Sequence, residues 1–155
     1  MKNNRVYVDT SVFGGVFDPE FEKESKQFFE EIKLGLFIPF VSPIVRREIL
    51  NAPSDVRKYY EKMLSYSEMI DITDDALKLM EAYIQAGILS PKSSDDALHV
   101  AIASINRCDK IVSWNFRHIV HSDKIRFYHA VNLMHGYDRI EIFSPREVIH
   151  YDEDV

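Results

Sequence analysis

The chain has 155 residues, of which 46% are hydrophobic and 28% charged, and its formal net charge is −6. This length predicts one domain, and the apolar fraction is high enough for a buried core, which excludes an intrinsically disordered chain. The single cysteine, Cys108, excludes both an internal disulfide and a site built from several thiolates. The acidic balance argues against a broad basic surface that grips nucleic acid.

The domain organisation is expected to be simple. Residues 1–150 are predicted to form one domain, and the last five residues, YDEDV at 151–155, are predicted to form an acidic, solvated tail. The chain shows no apolar run long enough to span a membrane and no secretory signal at its start. We therefore expect a cytoplasmic protein.

Strands and helices alternate in the first half of the chain. The predicted elements are, in order, a strand at 5–8, a loop marked by Gly14-Gly15, a helix ending near Gly35, a strand at 36–41, a short helix that carries Glu48, and a helix that starts near Asp55. Ser42 followed by Pro43 is a strong start signal for the short helix, with serine as the cap and proline in the first turn.

The alternation continues in the second half. The predicted elements are a strand at 69–72, a helix capped by Thr73 and closed by Gly87, a loop at 88–94, a helix at 95–107, a strand at 110–113, a helix at 123–135, a strand at 139–143 and a capping box at 144–147. This pattern predicts an α/β fold, a three-layer sandwich with a mainly parallel sheet of about five strands. In such sheets, ligands bind beyond the carboxyl ends of the strands.

Oxygen-rich side chains occur near several of these strand ends. Asp9 directly follows the first strand, Glu48 lies in the helix after the second strand, Asp96 lies in the first turn of an apolar helix, and Asn115 follows a later strand. Taken singly, each has a structural explanation: a turn residue, a surface ion pair, a helix cap, and another turn residue.

Taken together, the same residues predict a site for Mg²⁺ or Mn²⁺, because these cations prefer carboxylate and carbonyl oxygens. Two such ions a few ångströms apart can support in-line attack of water on a phosphodiester. A negative site of this kind is also compatible with an acidic chain, since bound cations invert the local field.

Four segments, VYVDTSVF, SPIVRREIL, SSDDALHVAIA and IVSWNFRHI, resemble in this order the four motif regions of PIN-domain nucleases. The resemblance covers nearly the whole chain and includes in particular the compact bacterial and archaeal proteins, among them the VapC-type toxins. It implies a PIN-like fold and a metal-dependent endoribonuclease that leaves 5′-phosphate and 3′-hydroxyl ends. It also implies an antitoxin partner and a homodimer. Single-stranded DNA or a flap remains open as a substrate.

The resemblance assigns roles residue by residue. Asp9, Glu48 and Asp96 match the family acids that bind metal, with Asp95 as the alternative to Asp96. Asn115 stands where the family often has aspartate, and its missing charge favours one ion, or a second that arrives with substrate. Thr10 and Ser11 are candidate donors that orient Asp9.

Two further questions stay open at this level. Asn115 and the acidic net charge also fit a catalytically weak or inactive PIN-like module that binds RNA or a protein partner. Basic side chains flank the motif segments and are candidates for contacting phosphates, although each alone is better explained as solvated surface charge: Arg46, Arg47, Lys92, Arg117 and His118.

Overall fold

A computed structural model describes residues 4–152 of the chain. Five parallel strands form one sheet, in the spatial order β3-β2-β1-β4-β5. The strands are β1 (Arg5–Val8), β2 (Ile38–Val41), β3 (Glu68–Met69), β4 (Lys110–Val112) and β5 (Glu141–Phe143). The helices are α1 (Thr10–Gly15), α2 (Glu22–Lys33), α3 (Pro43–Ile49), α4 (Ser54–Leu64), α5 (Asp74–Gln85), α6 (Ser94–Ile105), α7 (Ser122–Met134) and α8 (Pro145–Val148).

The central strand β1 determines where a ligand site can lie. From β1 the chain adds β2 and β3 on one side, then returns and adds β4 and β5 on the other. The strand order therefore reverses between β1 and β4, and a crevice opens beyond the carboxyl ends of these two strands. Tyr7 and Val8 are buried, as expected for a parallel strand covered on both faces.

Helices cover the sheet in two groups. Helices α5, α6 and α7 pack against one another, while α1, α2, α4 and α8 are linked by a second set of contacts. The buried apolar side chains of both groups and of the sheet form one continuous cluster. The predicted fold class, a three-layer α/β sandwich with a parallel five-stranded sheet, is confirmed.

The predicted start and end signals of α5 and the predicted capping box of α8 are also confirmed. The hydroxyl of Thr73 accepts a hydrogen bond from the backbone N–H of Ala76, 3.2 Å away, and caps α5. Gly87 closes the same helix with φ of +80°, a conformation that glycine adopts without steric cost. Ser144 and Glu147 form the predicted capping box of α8.

Several element boundaries differ from the prediction. The strand predicted at 69–72 is the two-residue strand Glu68–Met69, because only these residues pair with β2 before the chain leaves the sheet. The second strand begins at Ile38 rather than at 36. The loop predicted around Gly14-Gly15 is wrong, since Thr10–Gly15 forms α1 directly after β1. Two adjacent glycines normally weaken a helix, and tertiary packing overrides that preference here.

The closest packing around α1 explains one of the two glycines. A methyl group on Gly15 would lie 2.5 Å from Oγ of Ser25 and 2.7 Å from Nε1 of Trp114. These two atoms are hydrogen-bonded to each other at 2.8 Å. Glycine at this position therefore lets α1 approach the Trp114 ring.

Within residues 4–152, no helix is both long and apolar enough to cross a membrane. Most of the predicted acidic tail, residues 153–155, lies outside the described residues.

The two glycines of α1 offer a matched test of this packing. Gly15→Ala should lower the free energy of unfolding by about 1–3 kcal/mol, because the added methyl overlaps a hydrogen-bonded pair. Gly14→Ala should leave it unchanged or raise it by up to about 1 kcal/mol, since no atom lies within 4 Å of the added group. Urea unfolding of both variants measures the difference. Equal effects at the two positions would contradict the packing argument.

Candidate metal centre

The polar site lies at the carboxyl ends of the three central strands. Asp9 follows β1, Ser42 follows β2 and Ser113 follows β4. Helix α3 brings Glu48 to the same edge, and α6 brings Asp96. The site therefore occupies the crevice at which the strand order reverses.

Asp9 is the most firmly fixed carboxylate of the site. Its side chain is buried, and its Oδ2 accepts hydrogen bonds from the hydroxyls of Ser11 at 2.7 Å and Ser113 at 2.8 Å. The Ser11 oxygen in turn accepts the backbone N–H of Trp114 at 2.9 Å. These donors compensate burial of the carboxylate and hold its orientation. Ser11 thus plays the predicted role, and Ser113 is an additional donor that the sequence did not reveal.

Glu48 is half-buried and is held through one oxygen. Its Oε1 accepts hydrogen bonds from the hydroxyl of Thr10 at 2.6 Å and from Nε2 of His99 at 2.8 Å. Burial raises the pKa of the Glu48 carboxyl, but the contacts with His99 and Thr10 outweigh burial, so the net pKa lies below its ordinary value. The prediction that Thr10 orients Asp9 is wrong: its hydroxyl faces Glu48 instead.

His99 lies at the centre of this arrangement and was not predicted as a site residue. Its ring is 1% exposed, and Nε2 lies 2.8 Å from Oε1 of Glu48 and 3.5 Å from Oδ1 of Asp9. Nδ1 forms a 2.7 Å hydrogen bond with the hydroxyl of Tyr7, which contacts Oγ of Ser42 at 2.7 Å. Burial lowers the pKa of the imidazole, but the charges of Asp9 and Glu48 outweigh burial, so its pKa lies above the ordinary value.

One signal in the sequence points to His99. It follows Asp96 by three residues in the same helix, so the two side chains share a face of α6. It is also a polar residue within a helix whose neighbouring residues are buried and mostly apolar. The partners of His99 are 51 and 92 residues away in sequence, so nothing local identifies them.

Asp96 is half-buried, whereas its neighbour Asp95 is exposed. Asp95 forms a 2.9 Å ion pair with Arg47 on the surface. Burial raises the pKa of Asp96, the side chain of Asn115 opposes this, and the charge of Asp9 adds to the increase. The burial of Asp96 and the surface ion pair of Asp95 favour Asp96 over Asp95 as the site residue.

Asn115 is placed to support Asp96. Its carbonyl oxygen Oδ1 accepts the backbone N–H of His118 at 3.0 Å, and its own backbone N–H donates to Ser113 at 2.9 Å. The oxygen thus stabilises the turn after β4, while the side chain lowers the pKa of Asp96. These hydrogen bonds place Asn115 in the turn beside the site, and direct metal ligation by Asn115 stays a prediction.

The donor set fits a divalent cation. Asp9, Glu48 and His99 each offer one potential ligand atom, and these atoms lie within 4.8 Å of one another. Asp96 lies outside this tightest group. Among residues 4–152, Oε2 of Glu48 has no hydrogen-bond partner, so a carboxylate oxygen is free for a ligand. Carboxylate ligands whose orientation is fixed by hydrogen bonds from neighbouring residues are typical of metal sites.

Basic side chains contribute little charge inside the site. Arg47 is paired with Asp95 at the surface, and Lys92 and Arg117 are exposed. Arg46 is exposed on α3. Burial raises the pKa of Tyr60 in α4, and the charge of Arg46 opposes this increase. His118, in contrast, is partly buried and close enough to lower the pKa of Asp96.

Comparison with solved structures gives further support for the fold. The chain resembles a toxin–antitoxin complex from Klebsiella pneumoniae, with 22% identity, a TM-score of 0.53, and coverage of 73% of this chain and 88% of that one. It also resembles VapBC2 from Rickettsia felis bound to a promoter DNA fragment, with 14% identity, a TM-score of 0.59, and coverage of 90% and 97%.

A third similar structure is FitAcB from Neisseria gonorrhoeae, with 11% identity, a TM-score of 0.59, and coverage of 92% and 99%. No protein-family model and no curated protein sequence matches the chain. At these identities the structural similarity establishes a shared α/β fold, which extends over most of the chain.

The two adjacent aspartates at the start of α6 provide a matched test of the site. Asp96→Asn should weaken Mn²⁺ binding by at least the roughly 10–100-fold typical of losing an outer-shell partner of a metal. Asp95→Asn should leave the affinity close to wild type, because Asp95 is exposed and paired with Arg47. Isothermal calorimetry with Mn²⁺ measures both. The reverse order of effects would assign the site to Asp95.

Proposed function

We propose that this chain is a metal-dependent endoribonuclease and the toxin of a toxin–antitoxin pair. The observation that supports it most directly is the buried Asp9, held by two serine hydroxyls beside Glu48 and His99 at the strand-order reversal. Such a concentration of carboxylates costs free energy unless a cation or donors compensate it. A cation that binds these carboxylates as part of the function would supply this compensation.

The charge of the protein supports a metal-dependent reaction. With a net charge of −6 and carboxylates lining the site, an anionic phosphodiester is repelled by the protein alone. A bound Mg²⁺ or Mn²⁺ supplies positive charge to the phosphate and activates water for attack on phosphorus. The chain itself then needs no nucleophilic side chain.

The proposed roles of the side chains follow from their contacts. Asp9 and Glu48 would hold the cation through carboxylate oxygens, and each carboxylate is fixed by a hydroxyl donor, Ser11 for Asp9 and Thr10 for Glu48. Asp96 adds a third carboxylate at the start of α6, where burial raises its pKa and the side chain of Asn115, in the turn after β4, opposes that rise. Because the net charge is acidic, we expect only the few basic side chains at the rim of the site to contact the RNA backbone.

The partner is inferred from two sources. The motif segments resemble VapC-type toxins, and the similar structure from Klebsiella pneumoniae is described as a toxin–antitoxin complex. We propose that a small antitoxin protein binds this chain and blocks the site, and that the chain forms a homodimer. RNA as substrate rests on the motif resemblance.

Cleavage can be tested directly with purified chain freed of any partner. In Mg²⁺ or Mn²⁺ the wild type should cut mixed RNAs and leave 5′-phosphate ends, and EDTA should abolish cleavage. Asp9→Asn should also abolish it, whereas Asp95→Asn, the matched surface control, should not. Gel analysis and end mapping give the readout.

Two results would contradict the nuclease proposal. Cleavage that survives both chelation and Asp9→Asn would show that the activity does not use this site. A Mn²⁺-induced rise in melting temperature without any cleavage would instead favour the inactive PIN-like module, because metal binding stabilises a protein whether or not it is a catalyst.

The toxin role has a separate test in a bacterial host. Induced expression of the wild type should arrest growth, and Asp9→Asn expressed at the same level should not. Coexpression of a short reading frame adjacent to the gene should restore growth if it encodes the antitoxin. Normal growth with active, RNA-cleaving wild type would indicate a housekeeping ribonuclease.

A further inference from the structure

We infer that His99 is a positioning residue, which holds the Glu48 carboxylate through a hydrogen bond from Nε2–H and does not itself ligate the metal. The inference rests on the proposed function, since it describes how one carboxylate is presented to the cation. It also makes a statement about the metal-free protein, which can be tested separately.

Both nitrogens of the His99 ring are already engaged. Nε2 lies 2.8 Å from Oε1 of Glu48, and Nδ1 lies 2.7 Å from the hydroxyl of Tyr7. An ionised carboxylate can only accept a hydrogen bond, so Nε2 carries the hydrogen in this pair. A ring nitrogen that carries hydrogen has no lone pair for a metal. Metal ligation by Nε2 would therefore break the bond to Glu48.

The opposite side of the ring is fixed by the sheet. The hydroxyl of Tyr7 is bonded to Nδ1 of His99 and to Oγ of Ser42, both at 2.7 Å. Tyr7 and Ser42 are completely buried. A continuous series of hydrogen bonds thus links Ser42, Tyr7, His99 and Glu48.

This series connects four elements of the fold. Ser42 directly follows β2, Tyr7 lies in β1, His99 lies in α6, and Glu48 lies in α3. A glutamate has three rotatable bonds and, without such a contact, would sample several rotamers at the half-exposed position of Glu48. The bond from His99 and the bond from Thr10 both end on Oε1, which restricts the carboxylate to one orientation.

The consequence for ligand binding is that Glu48 has one committed oxygen and one available oxygen. Oε1 accepts both hydrogen bonds, while Oε2 has no partner within residues 4–152. A metal site gains affinity when its ligand oxygens are preoriented by surrounding donors. His99 therefore favours binding through a single glutamate oxygen.

Two substitutions of His99 separate its contacts. In His99→Gln the side-chain amide reaches roughly the place of Nε2, so a donor to Glu48 is retained and the contact with Tyr7 is lost. In His99→Asn the amide reaches roughly the place of Nδ1, so the contact with Tyr7 is retained and the donor to Glu48 is lost. The two variants are similar in polarity, which makes them matched controls.

Calorimetric titration of the full chain with Mn²⁺ gives the first readout. His99→Asn should weaken the affinity by roughly 10–100-fold, the usual effect of losing a partner of a ligand. His99→Gln and Tyr7→Phe both keep a donor to Glu48 and should stay close to wild type. Equal losses in His99→Gln and His99→Asn, or no loss in either, would overturn the inference.

Pulsed electron paramagnetic resonance of the Mn²⁺-bound protein gives a second readout. If His99 only positions Glu48, no imidazole is bound directly to Mn²⁺, and the spectrum should show no strong nitrogen hyperfine coupling. A strong nitrogen coupling that disappears in His99→Gln would identify His99 as a ligand and would overturn the inference.

A third readout is independent of metal. In EDTA, urea unfolding of His99→Asn, Glu48→Ala and the double variant should give non-additive changes in the free energy of unfolding, because the two side chains interact. Additive changes would overturn the inference. If wild type binds no Mn²⁺, the proposed function fails, while this cycle still decides whether His99 holds Glu48.

Discussion

The site depends on the burial of one carboxylate at the end of the central strand. Asp9 is 4% exposed, and an ionised group in that environment requires compensation by donors or by positive charge. Ser11 and Ser113 supply hydroxyl donors, and the His99 ring lies beside the carboxylate, with Nε2 3.5 Å from Oδ1 of Asp9. Ser11, Ser113 and His99 lie in different elements. The contacts that surround Asp9 therefore also fix how α1, α6 and the end of β4 pack together.

Much of the fold could be predicted because its signals are local. Alternating apolar segments, Thr73 as a cap and Gly87 as a helix stop each depend on residues close in sequence. Helix α1 could not be predicted in this way, because the two glycines in it oppose a helix locally. Its stability comes from packing against residues that are distant in the chain, among them Ser25 and Trp114.

The site shows the same division between local and distant information. Asp9 and Asp96 were expected from their positions at a strand end and a helix start, and the structure places both at the strand-order reversal. His99 and Ser113 could not be assigned by similar reasoning, because their partners lie about 50 to 100 residues away. The role expected for Thr10 failed for a related reason: its actual partner, Glu48, is contributed by another helix.

The only tryptophan of the chain is built into the support of Asp9. Its backbone N–H donates to Ser11, its indole N–H donates to Ser25, and its ring stacks on Phe21 with centroids 4.1 Å apart. Fluorescence excited at the red edge of the indole band, where tyrosine does not absorb, therefore originates from one known position, a residue whose backbone N–H contacts the Ser11 that holds Asp9. The protein thus carries an intrinsic optical reporter of the packing behind Asp9, and no added label is needed to follow changes there.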